Sequence, residues 1–140
     1  MVQLEVGERF AASPKSKAYG IPSVKAQYWA ETKVLGKVSP NVFLPVPKVD
    51  SAILQIIRKP SPPEVNYANF SRLIQTAFQH RRKMIRKSLN TLIPMSNFTI
   101  AEISPQSRPE ELSVADWFKL ANTIHEIELV KIDEEGFLRF

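Results

Sequence analysis

Ala52-Ile53-Leu54-Gln55-Ile56-Ile57-Arg58-Lys59-Pro60-Ser61-Pro62-Pro63 is the stretch that divides the chain. Its first half is a nearly continuous apolar run rich in β-branched side chains, the pattern of a central strand buried on both faces. Its second half stops regular structure, because three prolines within four positions cannot sit inside a helix or a central strand. Working outward from it, Thr32 to Val38 reads as a strand halted by Ser39-Pro40-Asn41, and Val24 to Ala30 as a short helix. Met1 to Val6 reads as a strand that runs into a helical turn through Glu8 to Ala12, with Ser13-Pro14 and Gly20-Ile21-Pro22 as breakers. Beyond the prolines the period becomes helical, from Phe70 to about Leu92 with Asn69 as the N-cap and Pro94 as the stop. A second helix, Val114 to Ile124, follows Ser113 as its cap and carries an apolar stripe of Trp117, Phe118, Leu120, Ala121 and Ile124. The tail from Ile127 to Phe140 alternates around Glu134-Glu135-Gly136 and reads as a β-hairpin.

With 140 residues and 44% hydrophobic content the chain can bury a core. It has no cysteine, which excludes disulfides, zinc-thiolate sites and thiol nucleophiles and makes a reducing, cytoplasmic setting the default expectation. No run approaches the roughly 20 apolar residues needed to span a bilayer, and Glu5 and Glu8 interrupt the start, so no membrane association is expected. His80 and His125 lack ligand-spaced companions, so no metal site is expected. Asp50, Ser51 and His80 match a hydrolytic triad by residue type alone, without a nucleophile elbow.

The net charge of +5 is unevenly placed: residues 1–92 hold 15 Lys or Arg against 5 Asp or Glu, and residues 93–140 hold 4 against 9. On a wheel for residues 70–92, Phe70, Leu73, Ile74, Ala77, Phe78, Met84, Ile85 and Leu92 fall on one side, and Arg72, Arg82, Lys83, Arg86 and Lys87 on the other. A charged helix face is commonly just solvated. Here, however, no carboxylate occurs between Glu64 and Glu102, so these cations lack acidic neighbours at helical spacing and a polyanion would relieve their repulsion. Arg81 lies on the apolar side, where it needs a fixed carboxylate, and Asp50 is the leading candidate for a structural pair that docks the helix onto the sheet.

Two segments carry a resemblance. Phe43-Leu44-Pro45-Val46-Pro47-Lys48-Val49-Asp50-Ser51-Ala52 resembles the Phe-x-Pro-x-Pro-Lys-Val-Asp-Ser-Ala block of ribosomal RNA adenine methyltransferases. Ala77-Phe78 with Arg81-Arg82-Lys83-Met84-Ile85-Arg86-Lys87-Ser88-Leu89 is similar to the helix that opens the C-terminal domain of the dimethyladenosine transferases. Met1 to Val6, Ser16 to Gly20, and Arg108-Pro109-Glu110-Glu111-Leu112-Ser113 followed by Leu120-Ala121-Asn122 add to it, and the last of these favours the small-subunit enzymes over the large-subunit ones. The resemblance covers residues 1 to about 124. It implies an α/β chain: the last strands of a class I (Rossmann-like) methyltransferase sheet followed by a small all-α C-terminal domain. Met1 to Leu4 would be the fifth strand, Thr32 to Val38 the sixth, and Ala52 to Ile57 the antiparallel seventh between them. The expected divisions are residues 1–59 for the end of the methyltransferase domain, 60–63 for a proline linker, 64–125 for a helical RNA-docking domain and 126–140 for the tail.

The resemblance also implies S-adenosylmethionine for the complete enzyme, small-subunit ribosomal RNA as partner, and Phe43 as the ring that stacks the target base, with Pro45 and Pro47 stiffening its loop. The Asn-Leu-Pro-Tyr type motif that orients the adenine amino group in this family is absent, and Asn41-Val42-Phe43-Leu44-Pro45 has the wrong spacing to replace it. Gly7, Gly20, Gly36 and Gly136 form no glycine-rich turn, so no cofactor binding is expected of this chain alone and no residue in it is assigned a catalytic role. The expected complement is an N-terminal methyltransferase half, in cis or in trans. A stand-alone RNA-binding module and the C-terminal subunit of a split enzyme are the alternative readings.

Overall fold

The computed structural model describes residues 1–61 and 63–134, the side chains of 125–134 excepted. The chain forms two compact units, Met1–Pro62 and Pro63–Phe140.

In the first unit, β1 (Val2–Gln3) passes directly into α1 (Leu4–Phe10), followed by α2 (Ile21–Trp29), β2 (Ala30–Val38), a 3-10 turn (Pro40–Val42) and β3 (Ser51–Arg58). The sheet order is β1-β3-β2, with β3 antiparallel to both neighbours, so β1 and β2 run the same way. Val2 pairs with Ala52, and the β2–β3 ladder runs from Ala30 opposite Arg58 to Val38 opposite Ser51 with a bulge between Val34 and Gly36. The insertion of the last strand between the other two is the arrangement the resemblance implies.

Gly7 brings α1 close to this sheet: a Cβ there would lie 3.3 Å from Ala52 Cβ and 3.3 Å from Val2 Cγ2. Side chains of α2 and β2 reach the carbonyls at the end of α1 and just beyond it. Gln27 Nε2 donates to the carbonyls of Phe10 (3.2 Å) and Ala12 (2.9 Å), Thr32 Oγ1 donates to Phe10 O at 2.7 Å, and buried Ser23 donates to Arg9 O. These donors satisfy carbonyls that a helix end leaves without intrahelical partners.

The expectation that residues 52–57 are buried on both faces is corrected. β3 is central, yet only Ala52 is enclosed, while Ile53, Ile56 and Ile57 are 41%, 62% and 52% exposed. Side chains alternate between faces along a strand. Ala52, Leu54 and Ile56 share one face, and its cover ends before Ile56. Ile53 and Ile57 lie on the other.

Among the described residues, the regular structure of the second unit is all helical: α3 (Tyr67–Phe78), α4 (Ile85–Ser88), α5 (Met95–Ile100), a 3-10 turn (Pro109–Glu111) and α6 (Val114–Glu134). Its core encloses Phe70, Leu73, Ile74, Ile85, Phe98, Trp117 and Leu120, with ring pairs Phe70–Phe118 at 5.4 Å and Phe78–Trp117 at 5.7 Å between centroids. Ser113 caps α6 as expected: its Oγ accepts from Asp116 N at 3.1 Å while the Asp116 carboxylate accepts from Ser113 N at 3.1 Å.

Three local expectations change. The N-cap of α3 is Asn66, whose side chain accepts from Asn69 N at 3.1 Å. The single helix expected from Phe70 to Leu92 ends at Phe78, and α4 resumes only at Ile85. The cause is tertiary. Ile85 N donates to Ser107 O at 2.7 Å and Arg86 N to Pro105 O at 3.1 Å, so amides that a continuous helix would direct to carbonyls one turn back are taken by the 104–108 loop. Finally, α6 continues to Glu134 where the sequence suggested a hairpin, and residues 135–140 of that tail lie outside the described residues.

Candidate nucleic-acid interface

In the first unit, Ser39 Oγ accepts from Asn41 N at 3.3 Å, setting the 3-10 turn from which Phe43 emerges in extended conformation. Phe43 and Pro47 are half-buried, Pro45 is exposed and Leu44 is 96% exposed. Asp50 closes the loop twice over: its carbonyl accepts from Leu4 N at 2.9 Å and its carboxylate pairs with Lys37 at 3.0 Å. A concavity of about 390 Å³ lies beside it, lined by Gln3, Leu4, Glu5, Glu8, Pro40, Lys48, Val49 and Asp50. It sits where β1 and β2 end, the edge at which open α/β sheets place ligands. Phe43 is not among the residues that line it.

The carboxylate that Arg81 meets is Glu110, at 3.3 Å and partly buried, rather than Asp50. The pair ties the segment after α3 to the 3-10 turn before α6, so Arg81 joins two parts of the helical unit.

The break after α3 redistributes the basic stripe. Arg82, Lys83 and Lys87, with half-buried Met84, form one wall of a concavity of about 540 Å³, and Gln106 and Arg108 form the other. Arg72, on α3, and Arg86 are exposed but do not line it. Sequence reasoning assigned no role to Gln106 or Arg108. Arg108 lies inside a segment quoted for its resemblance, but no periodicity places it near Lys87. No group of His, Asp or Glu among the described residues is arranged to hold a metal ion, and no helix there is long and apolar enough to cross a membrane.

The sheet of the first unit, with its last strand between the other two, is part of a class I methyltransferase fold. A solved dimethyladenosine transferase from Plasmodium falciparum matches with TM-score 0.72 and 21% identity, covering 96% of this chain and 56% of that one. A solved 23S rRNA methyltransferase, ErmE, matches with TM-score 0.61 and 23% identity, covering 88% of this chain and 52% of that one. At the level of sequence, the model of the ribosomal RNA adenine dimethylase family matches residues 1–126, and the chain belongs to that family. A ribosomal RNA small subunit methyltransferase A from Xanthomonas euvesicatoria is 40% identical over 124 residues, which are 87% of this chain and 47% of the relative. The chain thus spans about half the length of that relative.

Proposed function

We propose that this chain is the part of an S-adenosylmethionine-dependent rRNA adenine N6,N6-dimethyltransferase of the small ribosomal subunit that binds rRNA and helps hold the target adenine. The observation that carries this reading is the basic concavity on the second unit: Arg82, Lys83, Lys87 and Arg108 converge there. Such a cluster binds phosphates and releases their counterions. Arg72 and Arg86 extend the positive surface. Phe43, on a loop stiffened by Pro45 and Pro47, stacks against the extruded base, an interaction worth roughly 1–3 kcal/mol. The protein works in the cytoplasm.

S-adenosylmethionine supplies the methyl group in the complete enzyme. The described residues do not fit it: Gly7, Gly20 and Gly36 stand apart, and no glycine-rich turn followed by an acid is present to cradle it. No step of methyl transfer is therefore assigned to this chain. We propose that an N-terminal methyltransferase half, in cis or in trans, provides that pocket and covers the exposed side chains of β3.

Titrating the chain with a small-subunit rRNA fragment at several salt concentrations tests the reading. Affinity is expected to fall steeply with salt, and Lys83→Gln with Arg108→Gln should lower the log–log slope by roughly 1.4–1.8 if each cation meets one phosphate. An unchanged slope would return these side chains to an ordinary solvated surface. Phe43→Ala should leave that slope alone and lose the fluorescence quenching of a 2-aminopurine placed at the target position.

A further inference from the structure

We propose that the cradle between residues 82–87 and 106–108 reads the ribose-phosphate backbone of A-form RNA, and that Gln106 is the side chain that distinguishes ribose from deoxyribose there. This rests on the reading of the second unit as an rRNA binder and narrows it to one chemical feature of RNA.

The composition of the walls leads to it. Four cations, one amide and one thioether line the cradle, and no aromatic ring does. Sequence-tolerant capture of an unpaired base uses aromatic stacking platforms, which this cradle lacks. Cations alone treat RNA and DNA phosphates alike. The group that separates the two polymers is the 2′-hydroxyl, which both donates and accepts, and a primary amide can meet it in either sense. Gln106 is the one uncharged hydrogen-bonding side chain in the wall, and Met84 offers an apolar surface to the sugar. In an A-form duplex the shallow minor groove presents 2′-hydroxyls beside the phosphate rows, the pairing of groups that this lining complements.

The backbone holds Gln106 in place. Its amide donates to Ser104 Oγ at 3.4 Å, and Ser107 N donates to Ser104 O at 3.1 Å, closing a turn over residues 104–107. The carbonyls on either side of it, Pro105 O and Ser107 O, accept from Arg86 N and Ile85 N. The turn is thereby fastened to the basic wall at both flanks. With the backbone so fixed, only the exposed side chain's own rotamers remain to be ordered on binding.

The test compares the 140-residue chain on an RNA hairpin of roughly 16 base pairs, a length that spans successive grooves, with a DNA hairpin of the same sequence. RNA is expected to bind about three- to tenfold more tightly, the size of one net hydrogen bond. Gln106→Leu should lower RNA affinity to the DNA level, leave DNA affinity and the salt slope unchanged, and leave the far-ultraviolet circular dichroism intact. Lys83→Gln with Lys87→Gln should reduce both affinities and both slopes while keeping their ratio. A ratio unmoved by Gln106→Leu, or a loss that follows base sequence when the hairpin is permuted, overturns the assignment. Steep salt dependence with equal RNA and DNA affinity also sinks it yet leaves the unit an RNA binder. Binding of RNA that is indifferent to salt removes both.

Discussion

The packed helices of the second unit and the central strand of the first dispose of their apolar side chains in opposite ways. In residues 63–140 Trp117, Phe70, Phe98, Leu73 and Leu120 are enclosed, and rings from α3 meet rings from α6. In residues 1–62 the central strand carries Ile53, Ile56 and Ile57 at 41–62% exposure, although its sequence is the most apolar run in the chain. The contrast shows that hydrophobic pattern specifies which residues seek cover, whereas burial depends on what is there to cover them. The helical unit holds its complement within itself. The sheet is built to the same standard of pairing and is short of cover.

The most severe way to break this comparison is Trp117→Ala. Truncation of an enclosed indole costs about 3–5 kcal/mol, so urea denaturation followed by circular dichroism should show the helical transition lost or moved far to lower denaturant. Trp117→Phe should cost much less, since Nε1 has no hydrogen-bond partner among the described residues and its removal leaves no new orphan. Against these, Ile53→Ser with Ile57→Ser should change stability by no more than about 0.5 kcal/mol each and raise solubility. A loss of several kcal/mol from that pair would mean that the face is covered after all.

A smaller effect separates the partners of Arg81 and Asp50. With side chains 37% and 29% exposed, the Arg81–Glu110 pair should contribute about 0.5–1 kcal/mol, and Glu110→Gln should reveal it in the helical transition. Asp50→Asn should leave that transition unmoved. Coupling between Arg81 and Asp50 in a double-mutant cycle would restore the pairing that the sequence suggested.

The smallest change is one of backbone. Among the described residues each unit holds one non-glycine residue at positive φ, Lys15 at 71° and Glu102 at 58°. Glu102 ends α5 in a Schellman turn, with Ile103 N donating to Phe98 O at 2.9 Å and Glu102 N to Thr99 O at 3.1 Å. Glycine accepts that conformation without steric cost, so Glu102→Gly and Lys15→Gly should each stabilise by a few tenths to about 1 kcal/mol, each in its own unit's transition.

Much of this architecture was legible in the residues. The resemblance carried by the Phe43 block implied the last strand between its neighbours, and Ser113 announced the start of α6. What escaped was tertiary. No helical rule warns that the carbonyls of Pro105 and Ser107 will take the amides of Arg86 and Ile85, so a helix that looks continuous from Phe70 to Leu92 divides. No spacing rule links Arg81 to a glutamate 29 residues away. Asn66 and Asn69 are equally good caps by type, and the one that lies three residues earlier captures the other's amide. The cradle was missed for the same reason: its second wall, Gln106 and Arg108, arrives through the fold.

The clip that fastens the 104–108 loop to α4 has an electrostatic consequence. It crowds Arg82, Lys83, Lys87 and Arg108 around one hollow, and like charges held together destabilise the folded unit in proportion to how poorly they are screened. Added salt should therefore make this unit harder to unfold while it weakens the RNA contact proposed for it. The two responses have opposite signs and a single origin.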